Sequence, residues 1–321
     1  MIKLRNWLAP EWARPGHPLL QYELTGFRQP GAWRGFLIQL LVLSALLGGG
    51  GALYAAFNIG SASAANLTGL IWRSLYYPAL ALQLLTMIIA LVLGAAAVGA
   101  ERSHKTWDNL RATEFGAGLA LRARWAGILY RLRAPLILIL AARFIFIAGM
   151  LYDLTAFGGY YPEMLGALAT PSLPDGRLDL LLIALTATVA LLLPPASIAT
   201  AAAFGILLSV AIKERIYALV IQMLVISAQL LFAAAGALAI TQTFQSGVSA
   251  ASDWHFALFF AYAGFGDWGL LLAQLGSLGE IWGRLPFGWA LSLALILLLL
   301  ALGLAADGMM WLAARLSESR G

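Results

Sequence analysis

Apolar residues in this chain gather into long unbroken blocks instead of alternating with polar ones. The blocks are 35–57, 76–100, 134–152, 178–212, 216–240 and 286–306. Crossing a bilayer as a helix takes about 20 mainly apolar residues, with a range of about 17–25. The run 178–212 would be about 50 Å long as a straight helix at about 1.5 Å per residue, too long for an untilted span. Pro194 and Pro195 interrupt it, but 178–193 is short for a span of its own. The pattern therefore predicts one tilted, kinked helix with an extension beyond the membrane. Six spans are expected, in a single all-α polytopic membrane domain over 1–321.

Composition agrees. Of 321 residues, 61% are hydrophobic and 11% charged, against about 45–50% and about 25% in an ordinary soluble domain; mean hydropathy is +0.84. A water-soluble fold of this length has too little interior to hide so much apolar side chain. With no Cys, disulfides, thiolate metal sites and cysteine nucleophiles are excluded. His17, His104 and His255 all lie outside the apolar runs, which removes facing haem ligands at membrane depth. The net charge of +5 is read as topology rather than as nucleic-acid binding, because Lys and Arg collect in cytoplasmic loops.

That bias orients the spans. Lys3, Arg5, Arg14, Arg28 and Arg34 precede the first, and Arg102, Lys105, Arg111, Arg122, Arg124, Arg131 and Arg133 fill the second-to-third connection. Lys213 and Arg215 lie between the fourth and fifth, and Arg315 and Arg320 in the tail, whereas the other side holds Arg73, Arg177 and Arg284. Both termini are expected in the cytoplasm, in a plasma (inner) membrane, with no cleavable leader ahead of the first span. The segment 244–285 is rich in aromatics, broken by Gly264, Gly266, Gly269, Gly276 and Gly279, and carries Asp253, Asp267 and Glu280. It is expected to be an outer re-entrant or interfacial hairpin rather than a seventh span.

Two cytoplasmic segments stand out. In 17–30, Leu20, Leu24 and Phe27 share one helical face while Gln21, Glu23 and Arg28 lie off it, the pattern of a short amphipathic helix in the headgroup plane. In 101–133, Trp107 and Leu110 form a sparse apolar face among Lys105, Asp108, Asn109, Arg111 and Glu114. Gly116 and Gly118 follow, and then a basic amphipathic stretch with Leu119, Leu121, Trp125, Leu129 and Leu132 returns to the membrane. Such a segment suits either docking into a partner's groove or a solvated loop that sets topology and touches lipid headgroups.

Three pieces, in order, resemble the membrane subunit (permease) of ABC transporters of the type-two exporter family. HPLLQYEL at 17–24 is similar to that family's leader, where an Asn-Pro-like turn precedes an interfacial helix carrying a Glu. AERSHKTWDNLRAT at 100–113 is similar to its Glu-Arg-Glu…Gly-Thr…Leu-Leu…Thr-Pro stretch after the second span. FGILLSVAIKERIYALV at 204–220 is similar to its small-residue and Ser segment before a basic turn. Glu23, Glu101, Arg102, Thr106, Leu110, Thr113 and Ser209 stand on matching positions, whereas Ser103, Lys105 and Glu114 depart from the pattern.

The resemblance implies a non-catalytic permease that dimerises with a second copy or a paralogue. It would couple to a separate ABC ATPase subunit, and ATP and Mg would sit on that partner while this chain binds no cofactor. Glu101, Arg102, Thr106, Trp107, Leu110 and Thr113 would form the coupling element, with Leu20, Glu23, Leu24 and Phe27 on the interfacial helix. The chain itself has no GxxxxGK[ST] phosphate loop. His104 and Asp108 sit one residue short of an HxxxxD acyltransferase pair. Two other classes stay open: a polytopic enzyme acting on membrane lipid, and an assembly or scaffold subunit of a larger complex. Arg143 is the one cation deep inside an apolar run. Burial near a bilayer's centre costs about 2.5–3.5 kcal/mol on insertion scales, so it should face protein or water near Gln83, Thr86, Gln222 or Gln229. It is either a pathway contact to an anionic group or a hydrogen-bonded structural residue. Gly48, Gly49, Gly50 and Gly51 are expected to allow close helix packing.

Overall fold

The computed structural model describes residues 32–58, 67–97, 116–155, 176–212, 214–245, 261–267 and 287–319. These form helices α1 (Ala32–Asn58), α2 (Leu67–Ala96), α3 (Gly116–Arg131), α4 (Arg133–Thr155), α5 (Gly176–Ala211), α6 (Arg215–Gln245) and α7 (Phe287–Ser319). No strand occurs among the described residues. Backbone polar groups in hydrocarbon must be satisfied within the segment, and a helix does this. Among the described residues, five helices are long and apolar enough to cross a membrane: α1, α2, α5, α6 and α7. Their outward faces carry Leu41, Leu46, Phe57, Met223, Leu231, Leu297 and Leu304, all well exposed. An apolar surface this extensive is covered by lipid or by protein, not by water. The chain is a multi-pass, all-helical membrane protein.

The centre of the bundle is the pair α2 and α5. They run parallel, since Leu91 and Gly94 of α2 meet Ala202, Gly205 and Ile206 of α5 while Gln83 and Ser197, further toward their N-termini, both meet Gly266. At the crossing, a Cβ on Gly94 would lie 3.0 Å from Gly205 Cα, and a Cβ on Gly205 would lie 3.0 Å from Gly94 Cα. Two glycines thus let the backbones touch, the usual device where no hydrophobic effect drives helices together. Around this contact Met87, Ala90, Ile198, Ala202 and Ile206 are buried with Ile139 of α4 and Met310 and Ala313 of α7. At the periphery, 6% of the apolar window is buried in α1 and in α6, against 50% in α5.

The glycine run in α1 is used over half its length. A Cβ on Gly51 would lie 2.8 Å from the carbonyl oxygen of Ser74 and one on Gly50 3.5 Å from Pro78, while Gly48 and Gly49 have nothing within 4 Å. Pro194 and Pro195 lie inside α5, which continues through them, as expected for a single interrupted helix. The last helix departs from expectation by running on to Ser319, well past the predicted end at 306.

The stretch 116–131 is expected to be a basic amphipathic return to the membrane within the connection 101–133. These residues are a helix in the bundle: Ala117, Ala120, Leu121, Ala123 and Ile128 are buried. Leu132 N–H donates to Ile128 O at 3.1 Å and Leu136 N–H to Leu132 O at 3.0 Å, carrying the chain from α3 into α4 almost without a break. The basic residues that suggested a solvated loop are satisfied locally. Arg124, 6% exposed, donates to the Ala97 carbonyl at the end of α2. Arg122 pairs with Asp307 at 3.4 Å, and Arg133 lies over the Phe36 ring of α1 at 4.5 Å.

Candidate functional site: a charge cluster inside the bundle

The feature that lipid physics makes most expensive is a set of four buried polar side chains from three separate parts of the chain. Tyr76 and Gln83 are seven residues apart on α2 and so share a face. Arg143 comes from the middle of α4, and Asp267 ends the short piece 261–267. Their exposures are 1%, 0%, 4% and 0% respectively.

The hydrogen bonds form one connected network. Arg143 Nη2 donates to Asp267 Oδ1 and to Gln83 Oε1 at 3.0 Å. Tyr76 donates its hydroxyl proton to the other carboxylate oxygen, Oδ2. Gln83 turns its amide nitrogen to the Phe265 carbonyl at 2.9 Å. Arginine meets both an anion and a neutral acceptor, the carboxylate is held at both oxygens, and Gln83 ties the ion pair to backbone two residues upstream. A buried charge survives when it is paired and its remaining groups are hydrogen-bonded. One donor is left over: Arg143 Nη1 has no hydrogen-bond partner among the described residues.

Local sequence explains how Asp267 gets there. Residues 261–263 make a helical turn, and 264–266 fold back through bonds from Gly264 N–H to Ala261 O (3.2 Å), Phe265 N–H to Tyr262 O (3.0 Å) and Gly266 N–H to Ala263 O (2.8 Å). Gly266 has φ of +80°, a conformation open to glycine. A Cβ there would also collide with Ser197 Oγ and lie 3.0 Å from both Gln83 Nε2 and Leu193 O. The segment is wedged between helices. Phe265 stacks on Phe232 of α6 at 5.3 Å, and Tyr262 packs so closely on Gly236 that a Cβ there would be 2.7 Å from its ring. Tyr76 is boxed in by edge contacts with Tyr77 at 5.4 Å and Phe146 at 5.8 Å.

Of the neighbours expected for Arg143, Gln83 is its partner. Thr86 instead donates to Leu82 O of its own helix at 2.6 Å, and the hydrogen bonds of Arg143 do not go to Gln222 or Gln229. Asp267 and Tyr76 were not among the expected neighbours. An acidic residue in an apolar, glycine-broken segment was the available signal for the first, since it needs a cation wherever the segment is buried. Ser209 is buried in α5 and donates to Ile206 O at 2.8 Å. Leu20, Glu23, Leu24 and Phe27, together with Glu101, Arg102, Thr106, Trp107, Leu110 and Thr113, lie outside the described residues.

Comparison with protein-family models, with curated proteins and with solved structures finds no match for this chain. What the fold and the cluster define is therefore a class: a multi-pass helical membrane protein with a charge-paired segment inserted among its helices.

Proposed function

We propose that this chain is the permease subunit of an ATP-driven ABC exporter. It would pair with a second copy or a paralogue in the plasma (inner) membrane, with both termini cytoplasmic. The observation that carries the reading is the ordered resemblance of 17–24, 100–113 and 204–220 to the type-two exporter family. In this reading α4, which holds Arg143 at its middle, is the third of six spans, and 244–285 is a re-entrant hairpin that includes 261–267. The buried position of 261–267 against α2, α5 and α6 supports that insertion.

The bundle also supports a mechanical role for the segment between α2 and α3. Arg124 of α3 grips the Ala97 carbonyl at the end of α2, and Trp125 donates its indole N–H to Ala199 O of α5 at 2.8 Å. A Cβ on Gly118 would lie 3.4 Å from Ala314 Cβ of α7, so the two helices pack closely there. A push on 101–115 by an ATPase would thus reach α2, α5 and α7 together, through contacts that are packed rather than loose. Trp107 is the proposed anchor in the ATPase groove, since Trp is enriched among residues that dominate interfaces. Arg143 acts as the structural clamp on the hairpin, because its charge is already spent on Asp267.

The test is the double substitution Trp107→Ala with Thr106→Ala in reconstituted membranes with the cognate ATPase. No residue of the bundle is changed, so insertion and dimerisation should persist, while ATPase co-purification falls or substrate-stimulated hydrolysis is lost. Truncating an interface anchor commonly costs about 2 kcal/mol or more, roughly thirtyfold in affinity. Full coupling in the double variant would reject the assignment.

A further inference from the structure

A second polar pair, far from the Arg143 cluster, guards an apolar cavity. The cavity has a volume of about 160 Å3 and lies among α3, α5 and α7, with Trp125, Ala199, Leu302, Gly303 and Ala306 on its walls. Arg122 and Asp307 stand at its mouth, 3.4 Å apart, with side chains 42% and 75% exposed. An ion pair so long and so open contributes little to stability. The space around Gly303 is free, with nothing within 4 Å of where a Cβ would stand.

Depth identifies what lies against this mouth. In α7, residues 287–306 carry no charge, and Asp307 is the first ionisable group after them. With 286–306 taken as the last span, those residues cover about 30 Å as helix, the thickness of the hydrocarbon layer, which sets Asp307 where hydrocarbon gives way to headgroups. Arg124 at the end of α2 and Arg133 beside Phe36, near the start of α1, mark the same end of the bundle. Along α7 the lining runs from Leu302 and Gly303 through Ala306 and Asp307 to Met310, and its part from Ala306 to Leu302 lies on the uncharged side of Asp307. Its mostly apolar wall suits an apolar guest, and the open side lets one enter from the surrounding surface.

We infer that the cavity is a binding site for one bilayer phospholipid with a zwitterionic headgroup, phosphatidylethanolamine. Its phosphate would replace Asp307 on the guanidinium of Arg122, its ammonium would pair with the Asp307 carboxylate, and part of an acyl chain would fill the space over Gly303. Charge complementarity selects this lipid. A cation and an anion side by side match a headgroup carrying both signs, whereas an anionic headgroup would meet the Asp307 carboxylate. The three N–H donors of a primary ammonium can hydrogen-bond that carboxylate, and a trimethylated amine cannot. The inference is independent of the ATPase reading.

Full-length protein in nanodiscs of equimolar phosphatidylethanolamine, phosphatidylglycerol and phosphatidylcholine tests it, with retained lipid counted by native mass spectrometry after release. The wild type should keep phosphatidylethanolamine at least about tenfold over the other two. Arg122→Gln should lose that retention, Gly303→Leu should expel the chain and do the same, and Asp307→Asn should shift preference to phosphatidylglycerol. Gly303→Leu fills open space and Asp307 is mostly exposed, so these two variants report even where Arg122→Gln fails to fold. Equal retention of the three lipids by the wild type, a wild-type preference for phosphatidylglycerol, or unchanged retention in Gly303→Leu and Asp307→Asn would overturn the proposal.

Discussion

Replacing Asp267 with Asn strands Arg143, a guanidinium 4% exposed whose hydrogen bonds otherwise reach only Gln83. Removing one partner of a buried ion pair costs about 3–5 kcal/mol, because the other charge stays behind without compensation. Asp267→Asn and Arg143→Gln are each expected near about 4 kcal/mol. The double variant strands no charge, so it should cost less than Asp267→Asn alone, where simple addition would give about 8 kcal/mol. The coupling energy is then about 4 kcal/mol or more. Reversible unfolding in mixed micelles, followed by fluorescence of the 11 Trp residues, measures all three. Additive singles, or singles below about 1 kcal/mol, would refute the claim that this pair holds 261–267 in the bundle.

The crossing of α2 and α5 gives a second test. Gly205→Ala drives a methyl into the Leu91 carbonyl and to 2.9 Å from Ala95 N, backbone that cannot step aside, and should cost about 1–3 kcal/mol in the same unfolding assay. Gly48→Ala and Gly49→Ala meet nothing within 4 Å and should be neutral or stabilising by up to about 1 kcal/mol. Topology is read by cysteine labelling: Cys at Ser61 and Ser172 should react from outside, and at Ser103, Glu214 and Ser319 from inside. Labelling of the Ser319 position from outside would turn 255–275 into a true span and remove the six-span arrangement.

Several elements are legible in the sequence alone. The apolar blocks became helices α1, α2, α5, α6 and α7, and the Pro194–Pro195 helix stayed whole. Arg143 was singled out by its cost, and Gln83 was named among its neighbours. The stretch 116–131, read as a basic amphipathic return to the membrane, is a helix packed in the bundle, and its arginines alone do not tell that placement from a solvated loop. In the bundle, Arg124 spends its charge on a helix-end carbonyl and Arg122 on Asp307. The glycine run of α1 packs closely at Gly51, against the Ser74 carbonyl, whereas the crossing at the centre of the bundle is made by Gly94 and Gly205, unremarkable singly and separated along the chain.

What the amino-acid order determined by itself is the solvent and the class of structure. Runs of span length with few charges belong in a bilayer, and in a bilayer the backbone has to close its hydrogen bonds within each segment, as helices do. That rule is local, so it can be read locally. Which helices touch, and which charge answers Arg143, was decided only in three dimensions. Asp267 lies 124 residues beyond Arg143 in the chain, and it arrives there because Gly266 takes a left-handed turn against Ser197 and Gln83. Lipid is as apolar as the helix faces themselves and gives no preference for one neighbour over another, so partner choice falls to close packing and to buried polar groups. Those depend on side chains meeting across the bundle, and no window of sequence contains both sides of the contact.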